Sequence, residues 1–245
     1  PAMPAQASAS AWRRPSAVIA VVALALLAAA AAQAQPAAAS RVLRDVPYGA
    51  DARQKFDVYL PARPTGPVIL MVHGGAWAVG DKAAPGVVKN KVRHWVDDLG
   101  YVLVSANYRM LPAAQPVEQA ADVARALAAV QKQAPQWGAD PKRLVLMGHS
   151  AGAHLAMLLH ASPKMVADAG AQRWRVTVSL DSAAMDVEQL MRAPHARLYD
   201  RAFGKDPAYW QAASPYHHVS APGAPALLMI CSKLRDDDPC AQALH

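Results

Sequence analysis

The chain has 245 residues, 53% of them apolar, and a formal charge of +7 from 25 Lys and Arg against 18 Asp and Glu. That length builds one sizeable core and not clearly two. The basic residues are scattered, with no run interleaved with aromatics, which excludes a nucleic-acid surface. No His/Cys/Asp cluster has metal-ligand spacing, so neither a metal nor a cofactor is expected.

The first informative segment is the N-terminus. Arg13 and Arg14 precede an apolar run from Ala17 to Ala32 that ends in Ala32-Gln33-Ala34. A charged start, an apolar middle and a small-residue cleavage pattern describe a secretory signal peptide over residues 1–34. The run is short for a membrane span, so no span is expected after cleavage; a retained N-terminal anchor is the alternative. Export to the periplasm or the medium follows. Cys231 and Cys240 suit that compartment, where a disulfide across the short loop between them competes with two unpaired thiols.

A small-residue linker, 35–40, leads into a domain expected over 41–245. Arg41 to Val46 and Lys55 to Leu60 read as an antiparallel edge hairpin, with Phe56, Val58 and Leu60 buried on one face and Asp57 and Tyr59 on the other. Pro67 to Val72 is a continuous apolar run, which suits a strand covered on both faces. His73-Gly74-Gly75-Ala76-Trp77 follows at once. Val87 to Leu99 predicts a helix stopped by Gly100. Tyr101 to Ser105 predicts a strand closed by Asn107-Tyr108-Arg109. Pro116 starts a helix to about Ala134, with Pro just inside its start. Arg143 to Met147 is the next strand, then Gly148-His149-Ser150-Ala151-Gly152 and a helix from Ala153. Val176 to Leu180 and Ala226 to Ile230 are the last two strands. Between them, Ala184 to Ala213 reads as a small cap with two short helical pieces. Alternating strands and helices mean a doubly wound, mostly parallel α/β sheet, with ligands bound beyond the carboxyl ends of its strands.

Every chemistry-bearing segment falls at those ends. G-x-S-x-G between a strand and a helix presents a serine on a strained turn, and makes Ser150 the candidate nucleophile. A serine hydroxyl needs a base, an orienting acid and donors for the developing oxyanion. The glycines after Val72 let the backbone come close to a substrate, which assigns the donors to the N–H groups of Gly74 and Gly75, with that of Ala151.

HGGAW, NYR, GHSAG and an acidic loop after the last strand resemble the α/β-hydrolase fold. Within it they resemble the carboxylesterase branch related to arylformamidases and hormone-sensitive-lipase-like esterases, over about Arg41 to Leu244. The resemblance implies a serine hydrolase of small acyl or aryl esters, working through an acyl-enzyme on a small-molecule ester. It places the triad acid in Asp236, Asp237 or Asp181, with Asp236 preferred because the family's acid comes soon after the last strand and before a residue such as Pro239. Asp238 is read as the cap of the next helix. Trp77, Tyr199, Phe203, Tyr209 and Trp210 either line a pocket or pack in the core.

The base departs from the pattern. Triad order in this fold is Ser, acid, His, and only nine residues follow Asp236. His73 is bound to its own turn, His149 points away from the elbow, and His154 lies a turn down the helix. His195, His217 and His218 belong to the cap or surface, and His245 has no strand to carry it inward. The expectation is a chain truncated before its last strand and catalytic His. An arylformamidase-type amide hydrolase, and a non-catalytic protein on a hydrolase scaffold, are the rival readings.

Overall fold

The computed structural model describes residues 40–219, 224–233 and 237–244. The segments expected as signal peptide (1–34) and, nearly all of it, as linker (35–40) lie outside the described residues, as do Asp236 and His245.

Seven strands form one sheet in the order β1-β2-β4-β3-β5-β6-β7. They are β1 (Arg41–Pro47), β2 (Lys55–Leu60), β3 (Val68–Val72), β4 (Val102–Ala106), β5 (Leu144–His149), β6 (Val176–Leu180) and β7 (Ala226–Ile230). β1 and β2 run antiparallel to their neighbours, and β4, β3, β5, β6 and β7 are parallel to one another. All seven expected strands are present, each within a residue or two of its expected bounds.

The continuous apolar runs are strands buried on both faces. Val68, Leu70 and Val72 of β3 pack with Val123 and Leu127 of α2 (Pro116–Gln133) and with Leu155 and Leu158 of α3 (Ala151–Ala161). Ile69 and Met71 face the other way, onto Val88 of α1 (Pro85–Lys91) and Val96. Truncating one such leucine to alanine costs about 2–5 kcal/mol.

The helix expected over Val87 to Leu99 starts two residues earlier and is not uniform. Its second half, Val92–Asp98, widens into π-type turns, and Gly100 leaves it at φ +72°. The cap expected over 184–213 holds three pieces, not two, α5 (Val187–Arg192), α6 (Arg197–Phe203) and α7 (Pro207–Ala213), and α8 (Pro215–His218) follows it. Pro207 and Pro215 each open a helix, and Asp186 and Asp206 cap two of them through their carboxylates. Short α4 (Pro163–Asp168) follows α3, and α9 (Pro239–Leu244) ends the described chain.

β2 corrects the one-sided hairpin. Its polar face is also covered: Asp57 is fully buried, and Tyr59 nearly so. The buried carboxylate is matched by Lys82 Nζ at 2.7 Å and Arg44 at 2.6 Å, and by the Asp45 N–H at 2.9 Å. Burial works against this charge, but the bonds from Lys82, Asp45 and Arg44 outweigh it and hold the Asp57 carboxyl below the usual carboxylate range.

Strand register then aligns the motifs. Val72 pairs with Ala106 on one side and Gly148 on the other. His149 pairs with Leu180, and Leu180 with Ile230. The residues that follow each strand therefore emerge side by side along one carboxyl edge.

Candidate active site

Ser150 sits between β5 and α3 at φ +52° and ψ −119°, a conformation that non-glycine residues rarely adopt. Packing holds it there. A Cβ on Gly148 would strike the backbone of Gly152, and one on Gly152 would strike the carbonyls of Val72 and His73. Only glycines let β5 turn this tightly into a helix lying against β3. The Ser150 N–H donates to the Leu180 carbonyl at 2.8 Å, which ties the turn to β6. The hydroxyl does not cap α3, although serine commonly does so at that position. The positive end of the eleven-residue helix α3 points at the same place.

The turn after β3 meets this elbow. A Cβ on Gly74 would lie 2.8 Å from the His149 carbonyl and 3.0 Å from Ser150 Cβ. Gly75 follows at φ +124°, then Ala76 at +49° and Trp77 at +58°. Three consecutive residues of positive φ roll the backbone over the elbow, and the Gly75 carbonyl accepts from Ala78 and Val79 at 3.0 Å. Among the described residues the N–H groups of Gly74, Gly75 and Ala151 donate to no protein carbonyl.

The NYR motif braces this turn. Asn107 Oδ1 accepts the Lys82 N–H at 2.6 Å and lies 3.1 Å from His73 Nε2, while its amide donates to Asp81 at 2.9 Å. Tyr108 stacks on His73 and donates its hydroxyl to the His73 carbonyl at 2.9 Å. Arg109 forks onto the buried Asp122. The sequence marked these residues as a strand ending; their work is to fix the loop beside Ser150.

The histidines divide as the sequence suggested, with one addition. His73 is buried, and its Nδ1 lies 2.7 Å from the Gly74 carbonyl; burial pushes its pKa down. His154 is fully buried. Its Nδ1 accepts the Trp77 indole N–H at 3.1 Å, so Nε2 carries the proton and donates to the Ala213 carbonyl at 2.8 Å. Burial lowers its pKa to about 4 and keeps it neutral. His195 bonds to the Ala193 carbonyl and to Asp200, which raise its pKa. His217 faces Glu188 at 3.4 Å, and His218 bonds to the Ala212 carbonyl. His149 is the addition: its ring does not simply turn outward, because a Cβ on Gly74 would come within 3.2 Å of its Nδ1.

The three acid candidates part company. Asp236 lies outside the described residues. Asp237 accepts the Tyr199 hydroxyl at 2.6 Å. Asp181, at φ +61°, accepts the Ser232 N–H at 2.6 Å. Asp238 takes the Ala241 N–H at 3.2 Å, as a cap for α9. Cys231 and Cys240 are bonded, with Cα atoms 5.1 Å apart, so the acidic loop is closed at its base. A cleft of ≈ 730 Å³ opens beside this loop, lined among others by Gln189, His195, Tyr199 and Asp237.

The aromatic residues resolve toward packing. Trp77, Tyr199 and Phe203 are buried against one another, with Trp77 4.9 Å from Phe203 and 5.9 Å from Tyr199 between ring centres. Tyr209 receives the Val117 N–H and Trp210 donates to the Gly204 carbonyl. Of the five, Tyr199 also borders the cleft. Its bond to Asp237, and that from the Ser232 N–H to Asp181, escaped the sequence reading, because no spacing rule links a cap helix to a loop some 38 residues away.

Residues 56–237 match the BD-FAE family. A probable isoprenylcysteine alpha-carbonyl methylesterase of Oryza sativa subsp. japonica is 32% identical over 142 residues, which cover 56% of this chain and 32% of that protein. A probable carboxylic ester hydrolase of Mycobacterium tuberculosis is 31% identical over 171 residues, 64% of this chain and 36% of the other. A kynurenine formamidase of Danio rerio is 32% identical over 124 residues, 50% of this chain and 40% of the other. The chain thus spans about a third of the length of the curated relatives it matches. Among solved structures, esterase B of Lactobacillus rhamnosus superposes with a TM-score of 0.68 at 24% identity, covering 93% of this chain and 78% of that one. At that identity the likeness speaks for the fold.

Proposed function

This chain belongs to the BD-FAE family of α/β-hydrolase esterases, and from that premise we propose that it hydrolyses carboxylic esters of small acyl or aryl type through an acyl-enzyme on Ser150. The observation that carries the proposal is the meeting of Ser150, held at φ +52° with its hydroxyl unspent on capping, with the Gly74–Gly75 turn.

In this reading Ser150 Oγ attacks the ester carbonyl as its proton passes to a histidine. The carbonyl oxygen becomes an oxyanion held by the N–H groups of Gly74, Gly75 and Ala151, each worth about 3–4 kcal/mol in the transition state. The histidine returns the proton to the departing alcohol oxygen. Water then attacks the acyl-serine, with the histidine again as base. Asp236 on the disulfide-closed loop orients that histidine, which we place C-terminal to residue 245. Support comes from β7, whose Leu228 and Ile230 are 50% and 52% exposed: an apolar strand this bare is built to be covered by further chain. The Arg13–Ala34 leader supports export to the periplasm or the medium.

The similarity to a kynurenine formamidase, with HGGAW, keeps a second reading in view, in which the same serine cleaves a formyl anilide. Parallel kcat/KM values of the full chain on p-nitrophenyl acetate and on an N-formyl anilide separate the two. The ester is expected to be the better substrate by at least about tenfold, a difference of 1.4 kcal/mol in transition-state binding. A preference for the anilide would reverse the assignment.

A further inference from the structure

The triad proposed above requires the chain to leave β7 in the right direction, and the residue just past the neighbouring strand bonds to it there. Asp181 follows the last residue of β6 at φ +61°. Its N–H donates to the Ile230 carbonyl at 2.7 Å. Its Oδ1 accepts the N–H of Ser232 at 2.6 Å. One residue earlier, the Leu180 carbonyl accepts the Ser150 N–H at 2.8 Å. Two adjacent residues at the end of β6 thus hold the nucleophile turn on one side and the start of the acidic loop on the other.

We infer that Asp181 is a positioning residue, a latch that fixes Ser232, at the start of the acidic loop, to the sheet; the inference rests on the reading that this loop carries the acid. The parallel ladder ends at the pairing of Leu180 with Ile230. Past that pairing the N–H of Ser232 goes to the Asp181 carboxylate, a charge-assisted bond about twice as strong as a neutral one. The backbone conformation suits the task. At positive φ an aspartate is tolerated where a branched or bulky residue is not, and the turn brings its short carboxylate back over the neighbouring strand. The disulfide ties the two ends of the loop to each other, and Asp181 ties the first of them to the sheet. Tyr199 holds the loop's middle through Asp237.

Two variants of the full chain separate the latch from its rivals. Asp181→Gly keeps the positive φ without strain and removes the acceptor. Asp181→Asn keeps both the conformation and a carbonyl oxygen for Ser232. Hydrogen exchange by mass spectrometry is followed on the peptide spanning 231–240, beside kcat and KM on p-nitrophenyl acetate. D181G is expected to speed exchange of that peptide and to lower kcat by about tenfold each, with KM nearly unchanged, as expected for losing one bond to a charged group. D181N is expected to stay within about threefold of wild type in both readouts. Unchanged exchange in D181G would overturn the latch. A kcat loss of about a thousandfold or more in D181N, with exchange unaltered, would make Asp181 the acid itself and overturn it equally. Should the wild-type chain show no ester hydrolysis, the exchange arm still decides the latch, and it is the esterase reading that falls.

Discussion

The Ser150 side and the acidic-loop side of this site, the proposed nucleophile and acid halves, are built by different means. Ser150 and the Gly74–Gly75 turn are held by backbone packed against backbone: Gly152 against β3, Gly74 against His149, Gly148 against α3. The acidic loop leaves an exposed strand and is held by side chains, through Asp181, Tyr199 and one disulfide. Backbone contacts fix atoms within tenths of an ångström and tolerate no substitution. Side-chain ties can be removed one at a time. The nucleophile half should therefore fail abruptly and the acid half by degrees.

The sharpest contrast comes from the serine itself. Ser150→Ala is expected to lower kcat by about a millionfold, with thermal stability within about 0.5 kcal/mol of wild type, since it removes one hydroxyl at the site edge. Esterase assay beside calorimetry checks both; a variant that keeps a hundredth of the activity would break the scheme. Next is Gly75→Ala. Its Cβ would collide with the Val79 backbone at φ +124°, so the donors turn away and kcat falls by about 10²–10³. Stopped-flow acylation on p-nitrophenyl acetate reads this directly.

Behind the nucleophile half stands the Asp57 cluster. Replacing Asp57 by Asn leaves Lys82 with Asp45, at 2.9 Å, as its carboxylate partner, and should cost about 1.5–3 kcal/mol in urea unfolding, the loss of a charged hydrogen-bond partner. His154 sharpens the picture through pH. Its pKa is lowered in the fold to about 4 from the ordinary 6.5, so the unfolded chain binds the extra proton between those values. The stability it confers is whole above pH 6.5 and is lost as pH falls toward 4, amounting to about 3 kcal/mol. His154→Gln should flatten the unfolding free energy across that window, and a slope no smaller than wild type would contradict it. On the acid half, Cys231→Ser with Cys240→Ser should cost only about 2–3 kcal/mol, as a short loop implies. Its activity should decline in part; complete loss would erase the contrast between the two halves.

The same contrast explains what the sequence could convey. β3, β5 and the elbow were legible because backbone crowding demands glycine at fixed spacing, and double-sided burial demands unbroken runs such as Val68–Val72. Asp57 misled, since an alternating pattern looks half-solvated until Lys82 and Arg44 arrive from elsewhere in the chain. The cap was undercounted because helices of six or seven residues, one opened by Pro207, carry too few turns to show a period. The loop's ties to Asp181 and Tyr199 were invisible, because a hydrogen bond between distant segments leaves no local pattern.

The most direct test of the account is covalent. The full chain is treated with a fluorophosphonate, digested, and the adduct located by peptide mass. The account predicts one adduct, on Ser150, absent from the Ser150→Ala variant, since labelling needs a serine activated by a base and facing oxyanion donors. No adduct, or one on another residue, would contradict it.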